Sequence, residues 1–362
     1  MENKQICIGV IGCGIAQWHL DGFALEPRAR VVAIAGLDTD RCVQLAHKFD
    51  IPNVYSDYHE LLANPDVEAV SVAVPNNLHH PIAMASIKAG KHVLMEKPLA
   101  RNGVEGAEMV AAAQAAGVNL SIIFNRRSRT DMRILENHIA AGGLGDIYHA
   151  KAFWLRRSRV PGLGGWFTKK DQAGGGPLID LGVHVLDMAL HLMGSPKVLA
   201  VSAATYAEIA PQGKGQWTGN RFKTTEGQTF EVEDMATAFL RLEGGKTLNL
   251  DVSWALYTSA TDDFGVTLYG NKGGAELYVA EYATTGTLKL ISSVGGADAT
   301  IAPIFEVEPA SAGHAAVIHD WIDQLLGGER KAPSGEEGLD RTRIIDAIYA
   351  SAEQGREIRL DQ

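Results

Sequence analysis

One rhythm runs through the first 125 residues, and it leaves few folds open. Short apolar runs at Ile6–Ile11, Val31–Leu37, Ala69–Ala73, His92–Met95 and Leu120–Phe124 alternate with amphipathic stretches at Trp18–Leu25, Arg41–Phe49, Pro81–Ala89 and Val104–Ala116. Strands joined by crossovers long enough to hold a helix pair in parallel, and a parallel sheet needs helices on both faces. Residues 1–125 therefore read as an α/β, doubly wound Rossmann-type domain.

Beyond residue 125 the period changes. A helical stretch at 131–141 precedes the strand-like "IYHAKAFWL" and a helix over Leu178–Met193. Four period-two segments follow, "MATAFLRL", "KTLNLDVSWAL", "FGVTLYG" and "GAELYVA", with the turn signals "EGGK" and "GNKGG" among them. Such signals suit antiparallel hairpins. With closing helices at Ala315–Leu326 and Leu339–Glu353, residues 126–362 read as an α+β domain with a large, open, mostly antiparallel sheet. The uncovered sheet face predicts a homodimer or homotetramer, and Ala210–Gly227 reads as a long exposed loop.

A length of 362 residues also favours two cores over one. The net charge of −10 argues against binding nucleic acid or a membrane surface, since both polyanions repel it. Three cysteines, Cys7, Cys13 and Cys42, share no metal-ligand spacing and cannot all pair, which predicts a reducing cytoplasm. The opening "MENKQICIGVIGCGIA" imitates a secretory signal, but Glu2 offsets Lys4 and the run makes a better first strand and turn. No stretch approaches the ~20 apolar residues of a membrane span. The expectation is a soluble cytoplasmic protein.

The stretch "IGVIGCGIAQWH" places Gly12 and Gly14 between the first strand and the first helix. Glycines there let backbone N–H groups approach a pyrophosphate at the helix N-terminus, and they also suit a plain turn. Gln17 replaces the third glycine of the G-x-G-x-x-G pattern, with Ala16 one residue early. Asp38, at the end of the second strand, suits the adenosine ribose hydroxyls and repels a 2′-phosphate, which favours NAD over NADP. Capping the next helix is a compatible second role for it.

Ligands of such sheets bind at the carboxyl ends of the strands. Three polar tips arrive there, "VPNNLHH", "EKP" and "FNRRSR". Lys97 follows an apolar strand and precedes Pro98, whose ring constrains the backbone and hence the direction of the lysine. In "GGGPLIDLGVHVLDMALHLMG" the glycines read as a flexible lead-in and Pro177 as a first-turn residue. Asp180 and His184, four apart, share a helix face, and Asp187 and His191 repeat the spacing. An acid bonded to an imidazole fixes its tautomer and supports it as a base. A carboxylate answering the helix dipole and a core histidine explain the same residues. No third ligand stands near, so no metal is expected. His79 and His80 read as helix-capping residues, and His314 and His319 as structural or exposed. Residues 126–170 hold ten Lys and Arg against three acids. Salt bridges to the acidic remainder are the favoured account and an anionic substrate group the alternative. Trp154 and Trp166 suit either a pyranose or the core.

These residues together resemble the glucose-fructose oxidoreductase / inositol dehydrogenase (Gfo/Idh/MocA) family over nearly the full length. The resemblance rests on "GVIGCGIAQWH", "VAIAGLDTD", "VSVAVPNNLHHPIAMASIKAGKHVLMEKPLA", "LGDIYHAKAFW" and the Asp180–His184 helix. It implies that Gly12, Gly14, Ile15, Ala16, Asp38, Pro75, Asn76, His79 and Glu96 contact NAD, with Glu96 at the nicotinamide end. Lys97, Asp180 and His184 are implied as catalytic. They also stand, with Arg127, Arg156 and Trp166, as substrate-binding candidates. A cis Lys97–Pro98 bond is a further family trait. The activity implied is oxidation of a secondary ring hydroxyl of a sugar, glycoside or cyclic polyol to a ketone, or the reverse. Two rivals are a glycosidase that oxidises and re-reduces its sugar with held NAD, and a non-catalytic sugar or nucleotide sensor.

Overall fold

A computed structural model of the chain describes residues 5–217, 229–308 and 312–360. In chain order the elements are β1 (Ile6–Ile11), α1 (Ala16–Ala24), β2 (Ala29–Ala35), α2 (Thr39–Lys48), β3 (Asn53–Tyr55), α3 (Tyr58–Ala63), β4 (Ala69–Val72), α4 (His79–Lys88), β5 (His92–Met95), α5 (Gly103–Ala116) and β6 (Leu120–Ile122). Then come α6 (Thr130–Ala140), β7 (Ile147–Arg156), α7 (Lys170–Ala173), α8 (Val183–Leu192), β8 (Val198–Tyr206), β9 (Met235–Leu242), β10 (Thr247–Ser253), β11 (Asp262–Gly270), β12 (Gly274–Ala280), β13 (Leu288–Val294), β14 (Ala297–Ile301), α9 (Gly313–Leu325), α10 (Gly335–Gln354) and β15 (Ile358–Arg359).

The chain divides into two compact units, Met1–Ser128 with Glu308–Thr342, and Arg129–Val307 with Arg343–Gln362. A single cut after residue 125 thus differs from the packing, which returns 308–342 to the first unit. The reason is hydrophobic. Val317, Ile318, Trp321 and Ile322 of α9 share one core with Ile6, Ile8, Leu20, Phe23 and Ile34.

The first unit holds a six-stranded sheet of order β3-β2-β1-β4-β5-β6, parallel throughout. Its strands are apolar on both faces, as a doubly covered sheet requires; all four residues of β4 are buried. The order reverses between β1 and β4, the switch point at which such sheets bind ligands. β3 and α3 escape the sequence reading, being only 3 and 6 residues long.

The second unit holds a nine-stranded sheet of order β14-β13-β12-β11-β7-β10-β9-β8-β15. Pairing is antiparallel except between β7 and β10. Trp154 and Phe264, paired across β7 and β11, are buried on the face against which α8 packs. Phe153 and Tyr278 alternate to the other face, where Tyr278 is half exposed. Gly295 and Gly296, at φ of 61° and 86°, make the β13–β14 turn, a conformation favoured in two-residue hairpins. Most of the expected 210–227 loop lies outside the described residues, and Ala210–Gln212 is a short 3₁₀ turn.

The expected helix over Leu178–Met193 is two pieces. Residues Leu178–Gly182 form a π-helical turn and only then does α8 begin. Wider π turns inside α-helices are frequent at functional sites.

Candidate active site

In the first unit Gly12 ends β1 at φ 101°, and a Cβ there would stand 2.1 Å from the carbonyl oxygen of Ala73, so only glycine fits. A Cβ on Gly14 would meet nothing within 4 Å: the loop is open above it. Helix α1 starts at Ala16 with no side chain capping it and no acid in its first turn. Its first N–H groups are thus available to an anion. Ala16, fully buried, takes the close-packing role of the missing third glycine, while Gln17 accepts a hydrogen bond from Arg41 Nη2 at 3.2 Å. Asp38 is exposed and caps α2 by accepting Arg41 N–H at 3.0 Å. Open loop, uncapped helix and exposed acid fit a dinucleotide.

Pro75 precedes a 3₁₀ turn, Asn76–Leu78, that leads into α4, and Asn76 is buried. His79 is fully buried, with Nδ1 2.7 Å from Pro98 O and Nε2 3.1 Å from Val74 O. Its ring therefore braces the turn after Lys97. Burial holds this imidazole below its ordinary pKa.

The Lys97–Pro98 peptide is cis. Glu96 is 4% exposed and both its oxygens are engaged: Oε1 lies 3.1 Å from His19 Nε2 and 3.0 Å from His314 Nε2, and Oε2 accepts the Lys97 N–H at 3.0 Å. Burial works against the carboxylate, but the two imidazoles overcome it and hold Glu96 well below the usual range. His19 is itself held low by burial, and its Nδ1 lies 2.8 Å from Ser71 Oγ. The expectation that His314 is merely structural or exposed misses this contact. The two residues stand 218 positions apart, and no local pattern joins them. Lys97 is half-buried at the carboxyl end of β5. Arg127 is paired internally with Glu337 at 2.7 Å.

In the second unit Asp180 lies within the π turn. Its Oδ2 accepts the indole N–H of Trp254 at 3.0 Å. His184, 7% exposed, lies with its ring 5.7 Å from that of Trp154. His191 pairs with Glu136 at 2.7 Å rather than repeating an Asp-His unit with Asp187. Trp154 is core: it is 2% exposed, stacks on Phe264 and donates its N–H to Asp262. Arg156 donates to Asp262 at 2.9 Å and to the Tyr282 hydroxyl at 2.8 Å. Burial opposes its charge, yet Tyr282, Asp262 and Asp180 keep it more firmly protonated than usual. Arg127 and Arg156 each have an internal acidic partner. Trp166 is half-buried and stacks on Phe167 at 3.8 Å.

The glycine lead-in is tightly packed, not flexible. A Cβ on Gly175 would stand 1.9 Å from the Tyr349 hydroxyl and one on Gly176 2.2 Å from Glu233 O. Glu233, buried, accepts the N–H groups of Gly176 and Leu178 at 3.0 Å and the Tyr349 O–H at 2.9 Å, and so fixes the start of the turn that carries Asp180. Burial pushes Glu233 up and Tyr349 well up. Neither supporting residue carries a sequence signal, since each lies more than 50 positions from the turn it holds.

Residues 6–124 match a family model described as an oxidoreductase family with an NAD-binding Rossmann fold, and residues 137–360 its C-terminal alpha/beta domain. The chain is 29% identical to the D-glucoside 3-dehydrogenase of Escherichia coli (strain K12), with 99% of each chain covered. It is 34% identical to a putative UDP-kanosamine synthase oxidoreductase subunit of Amycolatopsis mediterranei (strain S699), with 96% of each covered. A solved levoglucosan dehydrogenase, in complex with NADH and levoglucosan, shares the fold: its TM-score is 0.85 at 24% identity, covering 99% of this chain and 100% of that one. Among the described residues no helix is long and apolar enough to cross a membrane.

Proposed function

Because this chain belongs to the Gfo/Idh/MocA family of NAD-binding oxidoreductases, we propose that it oxidises a secondary ring hydroxyl of a sugar, glycoside or cyclic polyol to a ketone, with NAD as hydride acceptor. The observation that carries the reading is Lys97, half-buried at the carboxyl end of β5 on the NAD-binding sheet and directly following a pinned carboxylate. The relatives' names point the same way, being dehydrogenases of a glucoside, of levoglucosan and of inositol.

When bound, NAD supplies the hydride acceptor. A ring alcohol is too weak an acid to lose its proton unaided. In this reading the Lys97 ammonium donates a hydrogen bond to the reacting oxygen and stabilises the alkoxide charge that develops there. His184 takes the proton, and Asp180, fixed by the Trp254 indole, keeps negative charge near the imidazolium that results. Gly12, Gly14, Ile15, Ala16 and Asp38 hold the cofactor's pyrophosphate and ribose, Pro75, Asn76 and His79 flank it, and Glu96 stands at its nicotinamide end. Trp166 offers a stacking face for the sugar ring. Association through the open sheet face into a homodimer or homotetramer, in the cytoplasm, belongs to the same reading.

The test mixes protein, NAD and a panel of inositols, pyranoses and glycosides and follows reduced nicotinamide by absorbance. Turnover on at least one neutral ring substrate is expected, with Lys97→Ala and His184→Ala each lowering kcat by about a hundredfold or more. Undiminished turnover in either variant refutes the site assignment.

A further inference from the structure

Buried His19 and Glu96 and half-buried His314 form a cluster whose two imidazoles the chemistry above does not use. They converge from α1, from the end of β5 and from α9, next to the switch point where β1 and β4 adjoin. Both Nε2 atoms reach the same carboxylate oxygen, at 3.1 and 3.0 Å, and the other carboxylate oxygen takes the Lys97 N–H. One tautomer of each ring accounts for the arrangement. Ser71 O–H donates to His19 Nδ1, the Asn125 amide at 3.4 Å donates to His314 Nδ1, and each Nε2–H donates to Glu96. That set of tautomers is assigned from the network.

A buried carboxylate between a buried and a half-buried imidazole is an expensive way to fill space, and apolar residues of like volume would serve folding as well or better. The carboxylate does one thing such residues cannot: it holds the backbone amide of Lys97. We propose that His19 and His314 are positioning residues that clamp Glu96, so that Glu96 fixes the backbone at Lys97 and thereby the place of the Lys97 ammonium. The chain of contacts is Ser71 to His19 to Glu96 from one side, Asn125 to His314 to Glu96 from the other, and Glu96 to Lys97 N–H. This rests on the reading of Lys97 as the group that binds the reacting hydroxyl. A cation shared by the three side chains is the competing occupant, because their ligand atoms lie within 4.8 Å of one another.

The experiment measures kcat, KM for NAD and the pH dependence of kcat/KM for Glu96→Gln, His19→Gln and His314→Gln, each alone and in a Lys97→Ala background by single turnover. NAD affinity and thermal midpoint are recorded for every protein. Loosening the clamp is expected to lower kcat by about tenfold or more, since misplacing a reacting group by ~1 Å costs about a hundredfold. KM for NAD should stay within about twofold in His19→Gln and His314→Gln, and the pH at half-maximal kcat/KM should move. In the Lys97→Ala background the same substitutions should have no further effect on the residual rate, because groups acting through one residue are not additive.

Full turnover by Lys97→Ala defeats the underlying reading. An inactive Lys97→Ala beside wild-type kcat and pH dependence in Glu96→Gln and His314→Gln defeats this inference alone. So does a lowered thermal midpoint with an unmoved pH profile and additive losses. If His19→Gln fails to fold, His314→Gln and Glu96→Gln decide the matter, the first at a site with 13% of its side chain exposed and the second isosteric. One equivalent of zinc in the purified protein, removed by EDTA along with activity, makes the cluster a metal centre and overturns the proposal.

Discussion

Gly12 and Gly14 stand two positions apart in one loop, yet their substitution by alanine should fail in different ways. At Gly12 the backbone has φ 101°, and an added Cβ would lie 2.1 Å from Ala73 O and 2.7 Å from Ala73 C. The conformation costs a side chain about 1–3 kcal/mol, and relieving an overpacked contact costs about 1–3 kcal/mol more. The obstacle is backbone at the end of β4, so no flexible side chain can swing away. Gly12→Ala should therefore lose about 3 kcal/mol of stability. For a unit of this size that is about 6–12 °C in thermal midpoint.

Gly14 lies outside the left-handed region, and an added methyl meets nothing within 4 Å. Gly14→Ala should fold within about 1 kcal/mol of the parent. The methyl would instead occupy the space above the loop that a pyrophosphate needs, weakening NAD by about tenfold or more, a loss of about 1.4 kcal/mol. Urea unfolding followed by fluorescence, with NAD titration of the folded proteins, separates the two effects. Undiminished NAD affinity in Gly14→Ala would refute the assignment of this loop to the cofactor. Undiminished stability in Gly12→Ala would refute the steric argument.

Three further outcomes follow from the buried polar groups. His79 is held below its ordinary value of 6.5 by burial, so its contribution to stability is complete above that pH and is lost as pH falls below it, at up to about 1.4 kcal/mol per pH unit; His79→Gln should flatten the acid side of the stability profile by about one proton in denaturant titrations. Asp262→Asn, which leaves the guanidinium of Arg156 buried without its carboxylate, should cost about 3–5 kcal/mol in the same assay. Tyr349→Phe removes the O–H that Glu233 accepts and should cost about 1.5–3 kcal/mol; a smaller loss would mean that water replaces the donor.

The first unit was largely legible because its strands are buried on both faces and therefore read as unbroken apolar runs, punctuated by Gly12 and Gly14. What escaped was short, as with β3 and α3, or distant, as with α9, whose amphipathic pattern announces a helix but not the core that it completes. In the second unit β9 to β12 were visible through period-two alternation, whereas β13 and β14 are exposed at most positions and show only their Gly295–Gly296 turn. Residue types at the site were legible and their partners were not. Spacing marked Asp180 and His184, but not the π turn that carries Asp180 or Trp254, 74 positions on, whose indole N–H it accepts. Charge density from 126 to 170 flagged Arg127 and Arg156 without revealing that Glu337 and Asp262 already answer them.

The return of 308–342 to the first unit bears on how such a protein is inherited and handled. Its polypeptide passes between units at 128/129, at 307/308 and again within α10 at 342/343. A gene fragment ending at codon 128 would encode a sheet stripped of Trp321 and Ile318, which are wholly enclosed in this chain. Exchanging substrate specificities between relatives by recombination therefore requires matched breakpoints at all three places, and a single crossover would leave one hybrid with an unfilled interior.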